Sequence, residues 1–310
     1  MMQKKTDEIE KYMKDCTLCP RNCHADRMAG RTGYCGMTDK IYAARAALHM
    51  WEEPCISGEN GSGAVFFSGC ALGCCFCQNR DISDGVAGKD ITAERLCNIF
   101  FELKDKGANN INLVTPDHYI PQILTSIDMA RHRGFDLPFV YNCSGYETKD
   151  MISSLDGYID VYLPDFKFMS SILSSRYSNA PDYSDHAKES IAEMVRQCGG
   201  YHMYFNDDGI MQKGVIVRHL QLPGCMEDSK AVITYLYNTY GDSIYISIMN
   251  QYTPMPGIAD KYPELNRKLT AEEYDKLVDY AIDIGVENGF IQEGETASES
   301  FIPAFDNEGV

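Results

Sequence analysis

Six short apolar segments, each followed by a segment with helical periodicity, occupy most of the chain from residue 64 onward. The first apolar segment, AVFFSG, leads through a cysteine-rich loop to ITAERLCNIFFELKDKG, with Thr92 as the expected N-cap and Gly107 as the expected stop. βα units in series build a parallel sheet with right-handed crossovers. The pattern therefore predicts an α/β fold, either a partial barrel or a doubly wound sheet.

Polar residues follow the predicted strands of these units. The later strands are INLVTP, PFVYNC, YIDVYLPDF, VIVRHLQL and IYISIMN. Residues with functional side chains at their ends are Thr115, Asp117, His118, Asn142, Ser144, Tyr146, Asp165, Lys167, Arg218, His219, Asn250 and Gln251. Because the carboxyl ends of parallel strands meet at one edge of a sheet, we expect the active site there.

The loop after the first strand, GCALGCCFCQN, contains Cys70, Cys74 and Cys77 in the pattern C-x3-C-x2-C. A structural zinc needs four ligands, and the sequence has no nearby histidine to complete them. Three thiolates suit a 4Fe-4S cluster, which then keeps one iron without a protein ligand. We interpret Cys75 as a bystander, because adjacent cysteines point apart.

The expected cellular compartment supports this interpretation of the cysteines. The charged N-terminus is followed by no apolar stretch, and no uncharged apolar run is long enough to span a membrane, so we expect a cytoplasmic protein. Thirteen cysteines in a reducing compartment favour metal or redox use over disulfides. The net charge of −17 argues against nucleic acid as a partner.

A second group of cysteines, Cys16, Cys19, Cys23 and Cys35, precedes the βα series. Four thiolates can hold a structural zinc or a fully ligated 4Fe-4S cluster, and spacing does not choose between them. We favour zinc slightly, because so short a segment has little core of its own. The expected domains are a cysteine-rich extension over 1–50 and a barrel with an acidic C-terminal segment over 51–310.

Longer stretches of the chain resemble the radical S-adenosylmethionine (SAM) superfamily. They are CTLCPRNCHADRMAGRTGYCG, EEPCISGENGSGAVFFSGC, CCFCQNRDIS, NLVTPDHYIPQI, YNCSGYE, YLPDFKF and VIVRHLQLPG, and they look like the PflX-type branch of pyruvate formate-lyase-activating-enzyme-like proteins. The resemblance implies a partial (β/α)6 TIM-like barrel. It also implies that the open iron of the cluster binds the amino and carboxylate groups of SAM.

The resemblance suggests SAM contacts residue by residue. Asp165 and Lys167 match the D-x-K that follows the fourth strand of activating enzymes, and Asn142 lies where those enzymes have an Asn-Gly turn. Thr115 stands where they have Gly-Gly-Glu, which is missing here. The remaining expected contacts are Phe76, before the last cysteine of the loop, and Arg218, as an anion-binding residue.

The resemblance also implies the reaction. SAM cleavage at a reduced cluster would give a 5′-deoxyadenosyl radical, which abstracts hydrogen either from a glycyl radical enzyme or directly from a small molecule or peptide. An electron donor such as flavodoxin or ferredoxin is the expected partner. The alternative class is a non-enzymatic electron carrier or metal-binding interaction module, in which cysteines would ligate every iron.

Overall fold

The structure, a computed structural model, describes residues 11–292 and 303–310. The part of the acidic C-terminal segment from 293 to 302 lies outside the described residues. Within the described ranges, no helix has the length and apolar character that crossing a membrane requires.

The described strands form one sheet with a mostly parallel centre. They are β1 (Ile41–His49), β2 (Ser62–Phe67), β3 (Lys89–Ile91), β4 (Ile111–Val114), β5 (Phe139–Cys143), β6 (Val161–Pro164), β7 (Tyr204–Phe205), β8 (Met211–Leu220), β9 (Tyr245–Met249) and β10 (Gly289–Ile291). Their order is β10-β9-β8-β6-β5-β4-β2-β1-β3, with β7 paired to β8 in a hairpin. All neighbours from β2 to β10 along this order are parallel.

The longer helices connect successive parallel strands and cover the outside of the sheet, whereas the short first helix lies between β1 and β2. The helices are α1 (Pro54–Ser57), α2 (Arg80–Ser83), α3 (Ala93–Asp105), α4 (Ile120–His132), α5 (Lys149–Ser153), α6 (Ser171–Ser178), α7 (Tyr183–Cys198), α8 (Met226–Tyr240), α9 (Ile258–Lys261) and α10 (Ala271–Asp283). No ladder joins β10 to β3 in the described residues, so the barrel is unclosed. The prediction of an α/β fold with a partial (β/α)6 TIM-like barrel is confirmed.

Local chemistry explains where the helices begin. The Thr92 side chain accepts a hydrogen bond from the backbone N–H of Arg95 and caps α3, as predicted. Thr270 and Glu273 form a reciprocal capping box at the start of α10. The buried face of α3, with Leu96, Ile99, Phe100 and Leu103, packs into the main core between sheet and helices.

Strand β1 lies in the range predicted as the cysteine-rich extension, yet it pairs antiparallel with both β2 and β3. The preceding cysteine-rich residues lie against the loop that follows β2. The division into 1–50 and 51–310 stays a prediction.

Helix α1 lies at the amino-terminal end of the barrel. The amide of Asn110, one residue before β4, donates to the carbonyl of Ile56 at 2.8 Å, and Asn109 donates to Ser57 at 2.7 Å. Cys55 and Ile56 pack with Val140 and Val161 in an apolar cluster. Since these partners belong to strand starts and the barrel interior, α1 forms the floor of the barrel, opposite the carboxyl ends of the strands.

Candidate functional site

A cavity of about 410 Å³ opens above this floor, inside the unclosed barrel. It is within the size range of small-molecule sites. The predicted residues that line it are Cys70, Cys74, Cys77, Thr115, Asn142, Ser144, Asp165, Lys167, Arg218 and Gln251. The structure thus brings together side chains from the ends of β2, β4, β5, β6 and β8, as expected for active sites of parallel α/β folds.

The cysteine loop begins two residues after β2, at a tight backbone turn. Gly69 has φ of 93°, and a Cβ there would lie 2.9 Å from the carbonyl oxygen of Cys35, so only glycine suits the position. The Cys70 sulfur accepts a hydrogen bond from the N–H of Leu72 at 3.3 Å, and the Cys74 sulfur accepts one from the Ser178 hydroxyl at 2.9 Å. The loop is thereby held against α6.

Burial raises the pKa of the Cys74 thiol to about 11 and that of Cys77 to about 12, while the nearby Lys167 ammonium opposes the increase. Burial also raises the pKa of Cys70. Such thiols are protonated at neutral pH unless they bind a metal, which displaces their protons. Cys75 lies outside the cavity lining, and its backbone N–H donates to the Tyr177 carbonyl at 2.8 Å.

The donor set fits a cluster. Three thiols face one cavity, which leaves space beside them for a ligand on the remaining iron. No group of three or more His, Cys, Asp or Glu side chains within 11–292 and 303–310 is arranged to hold a metal ion. A 4Fe-4S cluster differs from a single ion in binding each cysteine to a separate iron, so its ligands lie farther apart.

Arg218 organises the wall opposite the cysteines. Its Nε donates to Asp165 at 3.0 Å, one terminal nitrogen donates to Asn142 at 2.6 Å, and the other lies 3.3 Å from Glu52. Lys167 makes an ion pair with the second oxygen of Asp165. Burial alone would raise the pKa of Asp165, but the Lys167 and Arg218 charges hold it below its ordinary value.

Thr115, immediately after β4, has φ of 57°, an unusual conformation for a β-branched residue. Its N–H donates to the carbonyl of Asn142 at 2.9 Å, which fixes the strand end at the cavity. The next acidic residue, Asp117, is buried and accepts a hydrogen bond from the Tyr141 hydroxyl at 3.3 Å. Asp117 is not in the lining of the cavity.

Other predicted residues near the strand ends contact the surrounding scaffold and lie outside the cavity lining. Phe76 is buried edge-to-face against Phe168, with ring centroids 6.0 Å apart, and does not line the cavity. His219 contacts the Phe166 carbonyl at 2.8 Å and the Ser229 hydroxyl at 2.9 Å, and burial lowers its pKa to about 4. His118 contacts the Ser68 carbonyl at 2.7 Å. The role of Phe76 in SAM binding stays a prediction.

The four N-terminal cysteines lie near one another. Cys16 and Cys35 interact electrostatically with each other and with Cys19, and Cys23 interacts with Cys35. Burial raises the pKa of the Cys19 thiol to about 12. Within the described residues no three of these side chains are arranged to hold a single metal ion, so both zinc and a second cluster stay predictions.

This N-terminal segment contacts the cysteine loop directly. Arg21 donates to the carbonyl of Ala71 at 2.7 Å and to that of Asn179 at 2.6 Å. The Tyr34 hydroxyl donates to the carbonyl of Leu72 at 3.0 Å, and the Arg21 guanidinium lies 3.9 Å from the centre of the Tyr34 ring. The cysteine-rich N-terminal segment therefore holds the backbone between Cys70 and Cys74 in place.

Two polar residues inside strands belong to the site but are not predicted from the sequence. Asn112 of β4 donates to Glu52 at 2.9 Å, and Ser247 of β9 lines the cavity together with Glu53. The sequence feature that could have identified them is a polar residue within a short, otherwise apolar parallel strand, as in INLV and YISIM.

Comparison with known proteins adds a family match. Residues 56–177, which include the cysteine loop, match the family model of a 4Fe-4S single cluster domain. An uncharacterized protein of Methanocaldococcus jannaschii is 28% identical over 288 residues, which cover 91% of this chain and 78% of that protein.

Two solved structures align with part of this chain. SuiB of Streptococcus suis, bound to S-adenosylmethionine, has a TM-score of 0.49 at 15% identity, over 74% of this chain and 50% of SuiB. The FeFe-hydrogenase maturase HydG of Carboxydothermus hydrogenoformans has a TM-score of 0.48 at 12% identity, over 77% of this chain and 55% of HydG. The chain thus spans about half the length of these structures.

Proposed function

We propose that this protein is a radical SAM enzyme, in which Cys70, Cys74 and Cys77 hold a 4Fe-4S cluster and SAM completes the coordination of the remaining iron. The observation that carries the proposal is the shared cavity, which these three thiols line together with Asp165, Lys167 and Arg218. The match of residues 56–177 to a 4Fe-4S domain supports the cluster.

When bound, the reduced cluster and SAM supply a 5′-deoxyadenosyl radical that abstracts a hydrogen atom from the substrate. The protein positions SAM and supplies charged groups that contact it. Lys167 and Arg218 lie beside Asp165 in the wall, where they offer N–H donors to a carboxylate or ribose of SAM. Asn142 is held by Arg218 in the same wall, and the strained Thr115 turn presents backbone atoms in place of the missing Gly-Gly-Glu.

The test is anaerobic production of 5′-deoxyadenosine. The protein is reconstituted with iron and sulfide, reduced with dithionite and incubated with SAM, alone and with cell extract. Wild type should form the product, and Cys74→Ala should form none. Cys75→Ala is the matched control, because its side chain lies outside the cavity lining and we expect it to retain activity.

Absence of product from wild type with an intact cluster, in the presence of extract, would contradict the proposal. It would favour an electron carrier or metal-binding module, which predicts that SAM leaves the electron paramagnetic resonance spectrum unchanged. In a radical SAM enzyme, SAM perturbs the spectrum of one cluster because it binds the open iron.

Within this proposal, the substrate is a glycyl radical enzyme, as the activating-enzyme resemblance suggests, or a small molecule or peptide that is modified directly. A one-electron donor such as flavodoxin or ferredoxin would reduce the cluster. Transfer of deuterium from a labelled candidate substrate into 5′-deoxyadenosine separates these substrates. Metal analysis of the protein with Cys19 and Cys23 replaced by serine identifies the N-terminal metal as zinc or iron.

A further inference from the structure

Glu52 and Glu53 lie at the floor of the cavity, just before α1. They differ in their hydrogen-bond and ion-pair partners. Glu52 accepts hydrogen bonds from Asn112 at 2.9 Å and Asn142 at 3.4 Å, and it pairs with Arg218. Glu53 is only 8% exposed, and one of its carboxylate oxygens has no hydrogen-bond partner within the described part of the chain. Ser247 lines the same cavity as Glu53.

The charges of the cavity do not balance. Among the described residues that line it, the carboxylates are Glu52, Glu53 and Asp165, and the lysine and arginine side chains are Lys167 and Arg218. Lys167 pairs with Asp165, and Arg218 directs its N–H groups to Asp165, Asn142 and Glu52. Glu53 has no hydrogen-bonded cation among these residues. Burial raises the pKa of its carboxyl although the Arg218 charge opposes the rise, so the charged form is costly until a further cation binds beside it.

Proteins retain such costly groups mainly where they act on a ligand. Glu53 precedes α1, which contacts the starts of the strands, whereas the cysteine loop follows the end of β2. The carboxylate therefore approaches the cavity from the side opposite the cluster. In the proposed function the amino and carboxylate groups of SAM lie at the cluster iron, so Glu53 remains available to a second molecule.

We propose that Glu53 is the specificity-determining residue of a substrate subsite that takes a cationic group, an ammonium or guanidinium, through the unpartnered oxygen of its carboxylate. This inference rests on the proposed function for the identity of the ligand as substrate. Arg218 and Asn142 would then face SAM, while Glu53 and Ser247 would anchor the substrate on the floor.

The test measures binding directly. The anaerobically reconstituted protein, loaded with SAM, is titrated with n-butylammonium and with the neutral isostere n-butanol in ligand-observed NMR experiments. A charged hydrogen bond at Glu53 should make wild type bind the ammonium at least about tenfold more tightly than the alcohol. Glu53→Gln should lose this preference. Glu59→Gln, which removes an equal charge from an exposed position near the same helix, should keep it.

Each other result overturns the inference. Equal binding of the two probes to wild type, or a preference that survives in Glu53→Gln, would show that the carboxylate does not select a cation. A loss of SAM affinity in Glu53→Gln with the probe preference intact would assign Glu53 to SAM. The wild-type comparison needs no variant, so equal binding of the two probes overturns the inference even if Glu53→Gln fails to fold.

The proposed function fails separately. If wild type with an intact cluster forms no 5′-deoxyadenosine in the presence of cell extract, radical SAM chemistry is excluded whatever the probes do. If wild type forms the product but shows no preference for the ammonium, only the cationic subsite is excluded.

Discussion

At the scale of single residues, Arg218 is the side chain on which most of the cavity wall depends. One guanidinium serves Asp165, Asn142 and Glu52, and the Asp165 carboxylate is shared with Lys167. The planar fork of arginine matches this divergent set of acceptors better than the single ammonium of lysine. The sequence shows an arginine near a strand end, but not that its partners come from three other segments.

We expect Arg218→Ala to lower the free energy of unfolding by about 3–5 kcal/mol, because it leaves buried carboxylates without their cation. Urea unfolding of the purified protein measures the change. Lys276→Ala, which breaks an exposed ion pair with Glu272 on α10, is the control and should leave the midpoint nearly unchanged. Equal midpoints for the two variants would contradict the structural role of Arg218.

His219 makes stability depend on pH. Burial lowers its pKa from 6.5 to about 4, so the unfolded chain takes up this proton before the folded protein does. Stability from this group is therefore present above pH 6.5 and is lost as the pH falls toward about 4, by up to about 3 kcal/mol.

The change that tests this is His219→Gln, which should flatten the decline of unfolding free energy over that range. Urea unfolding at several pH values measures it, with the exposed His132→Gln as the control for replacing a histidine. An unchanged slope in His219→Gln would show that this group does not set the acid sensitivity.

At the scale of elements, periodicity predicts the parallel strands and the long helices well, because each βα unit buries one apolar strand and one helix face. The sequence misses β1, whose IYAARAALH is rich in alanine and therefore lacks the β-branched signal of a strand. It also misses β3 and β10, which are three residues each and gain their structure from a neighbouring strand. Such segments depend on tertiary pairing, which local sequence does not report.

The loop after β5 illustrates a constraint on an element that the sequence shows only as a glycine. Gly145 has φ of 79°, and a Cβ there would lie 2.1 Å from the carbonyl oxygen of Asp165. Gly134 also has positive φ, of 83°, but has open space around it. Substitution of Gly134 therefore measures only the conformational cost of adding a side chain, whereas substitution of Gly145 measures the conformational and steric costs together.

Gly134→Ala should cost about 1–2 kcal/mol from its backbone conformation. Gly145→Ala should cost about 1–3 kcal/mol more, because the end of β6 must move, and it should also weaken SAM binding. Denaturant unfolding and equilibrium SAM titration measure the two effects. If Gly145→Ala lost no more stability than Gly134→Ala, the close approach to Asp165 would be refuted.

At the scale of the whole molecule, the cysteine-rich N-terminal segment and the barrel meet at the cysteine loop. The sequence predicts both groups of cysteines but not this contact, because Arg21 and Asn179 are far apart along the chain. The floor of the cavity also depends on contacts between distant segments, because EEPCISG lies beneath the cavity against strand starts.

We expect Arg21→Gln to shorten the lifetime of the cluster in air, because the loop between Cys70 and Cys74 loses bonds that hold it. The decay of the visible absorption of the cluster measures the lifetime. Arg31→Gln, which alters an exposed ion pair with Asp26 in the same segment, is the control and should decay like wild type. Equal decay of the Arg21 variant would show that this contact does not protect the cluster.

The unbalanced carboxylate of Glu53 has a practical consequence for the whole molecule. A ligand that neutralises it binds only the folded chain and so raises the melting temperature with the logarithm of its concentration. Scanning calorimetry of the protein with a panel of organic cations therefore ranks ligands without any knowledge of the reaction. The rise in melting temperature therefore identifies the cations that fit this position, and the natural ligand should be among them.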